Sequence, residues 1–123
     1  MFILISKYWL KKSKTKAILK TNPTFSTQVL NENVNILFKK HKHLSIIEIV
    51  AHCKFLEHNW VIEFLNVATI NKALFIKEKY QLQWYDSLIV AAALQAGCTT
   101  LYTEDMHNGL FMESTLSIIN PFM

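Results

Sequence analysis

Short, uniformly apolar runs alternate along the chain with longer segments in which apolar residues recur every three or four positions. The first pattern fits strands covered on both faces, and the second fits helices. Met1 to Ile5 reads as an apolar strand, and Tyr8 to Lys20 as a basic helix whose Trp9, Ala17 and Ile18 face a core. Pro23 breaks that pattern. Thr24 to Ser26 predicts a short strand running into a helix over Thr27–Lys40, with Ser26 or Thr27 available as N-cap. On a helical projection Val29, Leu30, Val34, Ile36, Leu37 and Phe38 form a wide apolar stripe, and Glu32 lies at its border.

A further helix is expected from Ser45 to Leu56, burying Ile46, Ile47, Val50, Ala51 and Phe55. Trp60 to Ile62 predicts a strand, Val67 to Lys79 a lysine-bearing helix, and a Gln-rich loop then leads into "WYDSLIVAAALQAG" at Trp84 to Gly97. The Leu88 to Ala96 part of that helix is apolar all round, so it must be packed on most sides, and Gly97 suits the residue just past its end. Strands are expected at Cys98 to Thr103 and Thr115 to Ile119, the latter closed by Pro121. This alternation predicts an α/β fold with a mainly parallel sheet covered by helices, over one domain spanning 1–123.

Half the residues are apolar and only 18% are charged, which argues against disorder. The longest pure apolar run, Leu88 to Leu94, is too short to cross a bilayer, and the apolar opening lacks the preceding basic residues of a signal peptide. A cytoplasmic location without membrane association is expected. Cys53 and Cys98 stand apart, without the spacing of a zinc ribbon or disulfide framework. The net charge of +4 rests on lysines alone, because the chain has no arginine, so bidentate phosphate or guanine contacts are excluded. With Gly97 and Gly109 as the only glycines, a Gly-rich phosphate loop is excluded as well.

The chemistry-bearing candidates are carboxylates. In open α/β sheets, ligand sites form beyond the carboxyl ends of the strands. The run "TLYTEDM", Thr100 to Met106, ends a predicted strand in Glu104 and Asp105, and Asp86 opens the helix before that strand. Each has a plain role when taken singly: Asp86 as a helix N-terminal charge, Asp105 as a loop residue, Glu32 as a half-exposed helix glutamate. Clustered, they would repel one another unless a hard divalent cation neutralised them.

"YDSLIVAAALQAGCTTLYTEDM" at Tyr85 to Met106, "STQVLNENVNIL" at Ser26 to Leu37 and the closing "IINPF" at Ile118 to Phe122 together resemble the PIN domain, specifically the VapC-type toxins of bacterial toxin–antitoxin pairs. The match in order and spacing runs from about residue 20 to the C-terminus. The resemblance implies a three-layer fold with a central, mainly parallel sheet flanked by helices. It also implies a metal-dependent single-strand endoribonuclease in which acidic residues hold Mg²⁺ or Mn²⁺, which activates a water for in-line attack on a phosphodiester. By motif, Glu32, Asp86 and Asp105 are the metal ligands and Thr103 the hydroxyl residue beside the last of them, while Glu104 is a neighbour rather than a ligand. RNA as substrate, an antitoxin protein as partner and a homodimer are implied in the same way.

The departure lies at the N-terminus. Family members carry an aspartate on the first strand, and here no Asp or Glu occurs before Glu32. The expectation is therefore a copy lacking the start of that strand, with an activity impaired by loss of the first catalytic aspartate. The alternative is a catalytically silent PIN-like protein that binds an antitoxin or RNA.

Overall fold

The structure is a computed structural model, and it describes residues 2–3, 17, 20, 22–103, 106 and 108–120. The expected helix from Tyr8 to Lys20 lies outside the described residues apart from Ala17 and Lys20, as do Glu104, Asp105 and Pro121. Six strands, β1 (Phe2–Ile3), β2 (Thr24–Ser26), β3 (Val61–Glu63), β4 (Thr100–Tyr102), β5 (Phe111–Met112) and β6 (Leu116–Ile119), pair in the order β3-β2-β1-β4-β6-β5. Every neighbouring pair is parallel except β5 and β6. Among the described residues four helices with stated bounds accompany them: α1 (Thr27–Lys40), α2 (Ile46–Asn59), α3 (Val67–Tyr80) and α4 (Trp84–Gln95). The α/β class expected from the alternating pattern is the class observed.

The chain steps outward from β1 through β2 to the β3 edge and then crosses back to place β4 beside β1. The strand order therefore reverses between β1 and β4, and a crevice at the carboxyl ends is the usual result. Helix α4 carries the core of the fold. Ser87 to Ala93 are all buried, and Ile89, Val90, Ala91, Ala92 and Ala93 are fully so. Its end is a Schellman turn, in which the Cys98 N–H donates to Ala93 O and the Gly97 N–H to Leu94 O, both at 3.0 Å, with Gly97 at φ +74°. That reversal sends the chain straight into β4, so α4 runs antiparallel to the strand. Its N-terminus, with Asp86 in the first turn, consequently lies toward the strands' carboxyl ends.

Helix starts follow the local chemistry. Ser26 Oγ accepts from the Val29 N–H at 3.2 Å to cap α1. Ser45 and Glu48 form a reciprocal capping box on α2, and Asn66 and Thr69 form one on α3. Helices α1 and α2 are tied by Asn33 Nδ2 donating to His52 Nε2 at 2.7 Å. Burial holds His52 below its ordinary value of 6.5, so the fold favours the neutral ring that this bond requires.

The faces of two helices depart from the pattern. In α2, Ile49 and Leu56 are buried, whereas Ile46, Ile47, Val50 and Phe55 are 62, 81, 45 and 54% exposed and Ala51 is exposed too. In α1, Gln28, Val29 and Asn33 are buried while Phe38 is half exposed. A helix that meets its neighbour along a narrow seam buries only the seam, so apolar spacing marks a wider stripe than packing covers. Trp60 caps α2 instead of starting β3, and β5, only 2 residues long, was not legible as a strand. Among the described residues no helix is long and apolar enough to cross a membrane.

Two outcomes follow from this packing. Leu56→Ala, at a fully buried position, should lower unfolding free energy by about 2–5 kcal/mol in urea titrations. Ile47→Gln, on the exposed stripe, should change it by less than about 0.5 kcal/mol. The depressed His52 value makes its neutral form a source of stability that is complete above 6.5 and lost as the pH falls below that value through the folded one. Wild-type stability should therefore drop between about pH 7.5 and pH 5 by more than that of His52→Gln.

Candidate functional site

Helix α1 leaves the carboxyl end of β2 directly, so Glu32, in its second turn, stands above that end of the sheet. Asp86 arrives from α4 and Met106 from the segment after β4, whereas Thr103, the residue that follows β4, is buried and is not among the residues lining the cleft. Glu32 and Asp86 line one cleft of about 710 Å³. Its remaining lining comes from Tyr80 to Gln83 with Tyr85, and from Met106 with Leu110. Two of the three candidate carboxylates thus share a cavity although 54 positions separate them in sequence (86 − 32). Asp105 lies outside the described residues, but its neighbour Met106 is part of the wall.

Each side chain is held by its surroundings. Gln28 Nε2 donates to Glu32 Oε1 at 3.3 Å, one helical turn away, and both carboxylates are partly buried. Asp86 sits in the first turn of α4, where the helix dipole stabilises negative charge. Ser87 Oγ donates to Gln83 O at 2.9 Å and anchors the loop before Asp86. Thr103 is 1% exposed, and its N–H donates to Ile119 O at 3.0 Å, which extends the β4–β6 pairing one residue past β4. Among the described residues no three His, Cys, Asp or Glu side chains cluster as a metal site. Glu32 and Asp86 supply two hard oxygen donors, the type that suits Mg²⁺ or Mn²⁺.

The fold has a solved counterpart. The chain resembles one in a toxin–antitoxin complex from Klebsiella pneumoniae with a TM-score of 0.70, over 98% of this chain and 96% of that one, at 13% sequence identity. Identity that low shows a shared fold alone. No protein-family model matches the chain, and no curated protein matches it.

The wall from Tyr80 to Gln83 was missed by sequence reasoning. The signal available was the polar "YQLQWY" run immediately before Asp86, with an aromatic at each end. Its shape was not available, because Gln81 takes the left-handed conformation (φ +56°), which no residue other than glycine advertises. Behind this wall Tyr80 OH donates to Glu113 Oε2 at 2.8 Å, and Lys79 Nζ donates to the same oxygen at 2.6 Å. These bonds hold the Glu113 carboxyl below its usual range, the lysine being the larger cause.

A larger concavity of about 960 Å³ lies elsewhere, between the start of α1, the end of α2 and β3. Leu30, Phe55, Trp60, Val61, Ile62 and Phe64 line it, with Lys54, Glu57 and His58 among its polar residues. Phe55 and Ala51 belong to the exposed stripe of α2, so stripe and groove are continuous.

Proposed function

We propose that this chain is a metal-dependent single-strand endoribonuclease of the PIN/VapC toxin type, with Glu32, Asp86 and Asp105 as metal ligands and Thr103 beside them. The observation that carries the reading is the cleft that Glu32 and Asp86 share. The three-layer PIN-like arrangement is part of the same proposal, and the fold likeness to a chain from a toxin–antitoxin complex supports it. A bound Mg²⁺ or Mn²⁺ would supply neutralising charge for a phosphodiester and acidify water. The chain's own residues do the positioning. Tyr85, 59% exposed at the rim, offers a ring on which an unpaired base stacks. Gln83 presents its amide to ribose and phosphate oxygens, while the Gln81 amide donates to Glu78 O at 2.8 Å and shapes the wall. No Asp or Glu stands before Glu32, so the proposed acidic set is Glu32, Asp86 and Asp105, without the first-strand aspartate that the resemblance implies.

A second reading has its own support in the exposed stripe of α2 and the apolar groove it enters. On that reading the chain is catalytically silent, and its function is to bind a protein partner of the antitoxin class through this face. Exposed apolar patches of such extent mark interaction surfaces.

One set of measurements separates the two. Purified chain should cleave single-stranded RNA with Mn²⁺, and Asp86→Asn and Glu32→Gln should each reduce the rate by about a hundredfold, the scale of a lost positioning contact. Mn²⁺ should raise the melting temperature of the wild type and leave Asp86→Asn unmoved. A version extended upstream by a strand ending in aspartate should cleave at least about tenfold faster. Absence of both cleavage and a Mn²⁺-dependent melting shift would leave the silent binding protein as the better account. In that case Phe55→Asp should abolish partner binding while the fold survives, since Phe55 is 54% exposed.

A further inference from the structure

Glu113 occupies the turn between β5 and β6, where it and Ser114 take left-handed conformations at φ +50° and +57°. Two consecutive non-glycine residues in that region are costly, and they persist only where surrounding contacts hold them. Here the contacts form a closed ring. Tyr80 OH donates to Glu113 Oε2 at 2.8 Å, and the Glu113 N–H donates back to the Tyr80 oxygen at 3.0 Å. Lys79 Nζ shares that carboxylate oxygen at 2.6 Å, and Lys72 Nζ stands 3.6 Å from the other. The Glu113 side chain is 18% exposed while Lys72 and Lys79 are 43 and 49% exposed, so the hydrogen bonds with Tyr80 rather than the ion pairs carry the ring.

The ring joins two segments distant in sequence, and each leads directly to residues that line the carboxylate cleft. Tyr80 lines the cleft, and the chain turns there through left-handed Gln81 to Gln83 and Asp86. In the second segment the β5–β6 hairpin is continuous with Leu110, also a cleft residue, and Ile118 N–H donates to Leu110 O at 2.8 Å. We propose that Glu113 is a positioning residue that sets the spacing of these two walls and thereby the cleft's fit to single-stranded RNA. The proposal rests on the nuclease reading for its ligand, while the clamp itself is a property of the fold. Glu113 touches no reacting group, so its loss acts on binding before it acts on turnover.

The test uses the full chain and two readouts. In Glu113→Ala, amide hydrogen exchange at Gln81, Gly109 and Ile118, whose N–H groups are bonded in the two walls, should speed by at least about tenfold while the α4 amides Ile89 to Ala93 stay protected. Affinity for a fluorescent single-stranded RNA oligonucleotide, measured by anisotropy in EDTA, should fall at least about fivefold, with KM raised and kcat within about twofold when Mn²⁺ is added. Tyr80→Phe should reproduce the effect, and Tyr80→Phe with Glu113→Ala should be no worse than either alone, because both open the same ring. Glu113→Gln keeps an acceptor for the tyrosine and should fall between wild type and Glu113→Ala, which guards against an alanine variant that fails to fold. Unchanged wall protection in folded Glu113→Ala, or additive losses in the double variant, would overturn the clamp. A wild-type chain that neither binds nor cleaves RNA would instead overturn the nuclease reading, and the exchange data would still decide the clamp.

Discussion

From Ser87 to Ala93 helix α4 has no face left for water, and much else in the molecule follows from that constraint. A helix buried along Ser87 to Ala93 has to be enclosed by the sheet and by neighbouring helices, and α3 packs along it with Ala73 against Leu88 and Ala91. Its small residues, Ala91, Ala92 and Ala93, permit close approach on several sides at once. The Schellman turn at Gly97 then fixes the direction in which β4 leaves. Once both ends of α4 are fixed, Asp86 has little freedom about where it stands, because the most tightly enclosed element of the fold carries it. A functional side chain placed on such an element inherits the rigidity of the core.

The legibility of the fold tracked the strength of local signals. The bounds of β2 and α1 follow from Pro23 and the Ser26 cap, and the all-apolar run of α4 announced its burial without ambiguity. The face of α2 did not follow from its pattern. Ile46, Ile47, Val50 and Phe55 have the spacing of a core stripe, and nothing local distinguishes an apolar stripe facing a neighbouring helix from one facing solvent. What decided it was how much of α2 the rest of the fold reaches, which is tertiary information. Edge strand β5 was illegible for a related reason: its pairing with β6 is long-range and its length gives no periodicity to detect.

The site divides in the same way. Asp86 and Asp105 were singled out because they stand at predicted element ends and Glu32 because it borders an apolar helix stripe, and the fold brings Glu32 and Asp86 to one cleft. The wall residues, and Glu113 behind them, were not found. Their roles depend on a left-handed Gln81 and on contacts between α3 and a hairpin more than thirty positions away, a separation the Tyr80 and Glu113 numbering makes plain. Sequence motifs report groups that do chemistry more readily than groups that hold them in place, since the latter are defined by geometry rather than by reactivity.

The apolar stripe on α2 also bears on how this chain behaves in quantity. Isoleucine, valine and phenylalanine side chains turned to water attract one another across molecules as readily as they would pack within one. Collisions between such faces rise with the square of concentration, so a dilute chain stays dispersed while a crowded one meets copies of itself. Concentration thereby becomes a physical variable of the fold, because an uncovered apolar stripe favours self-association as the amount of chain rises.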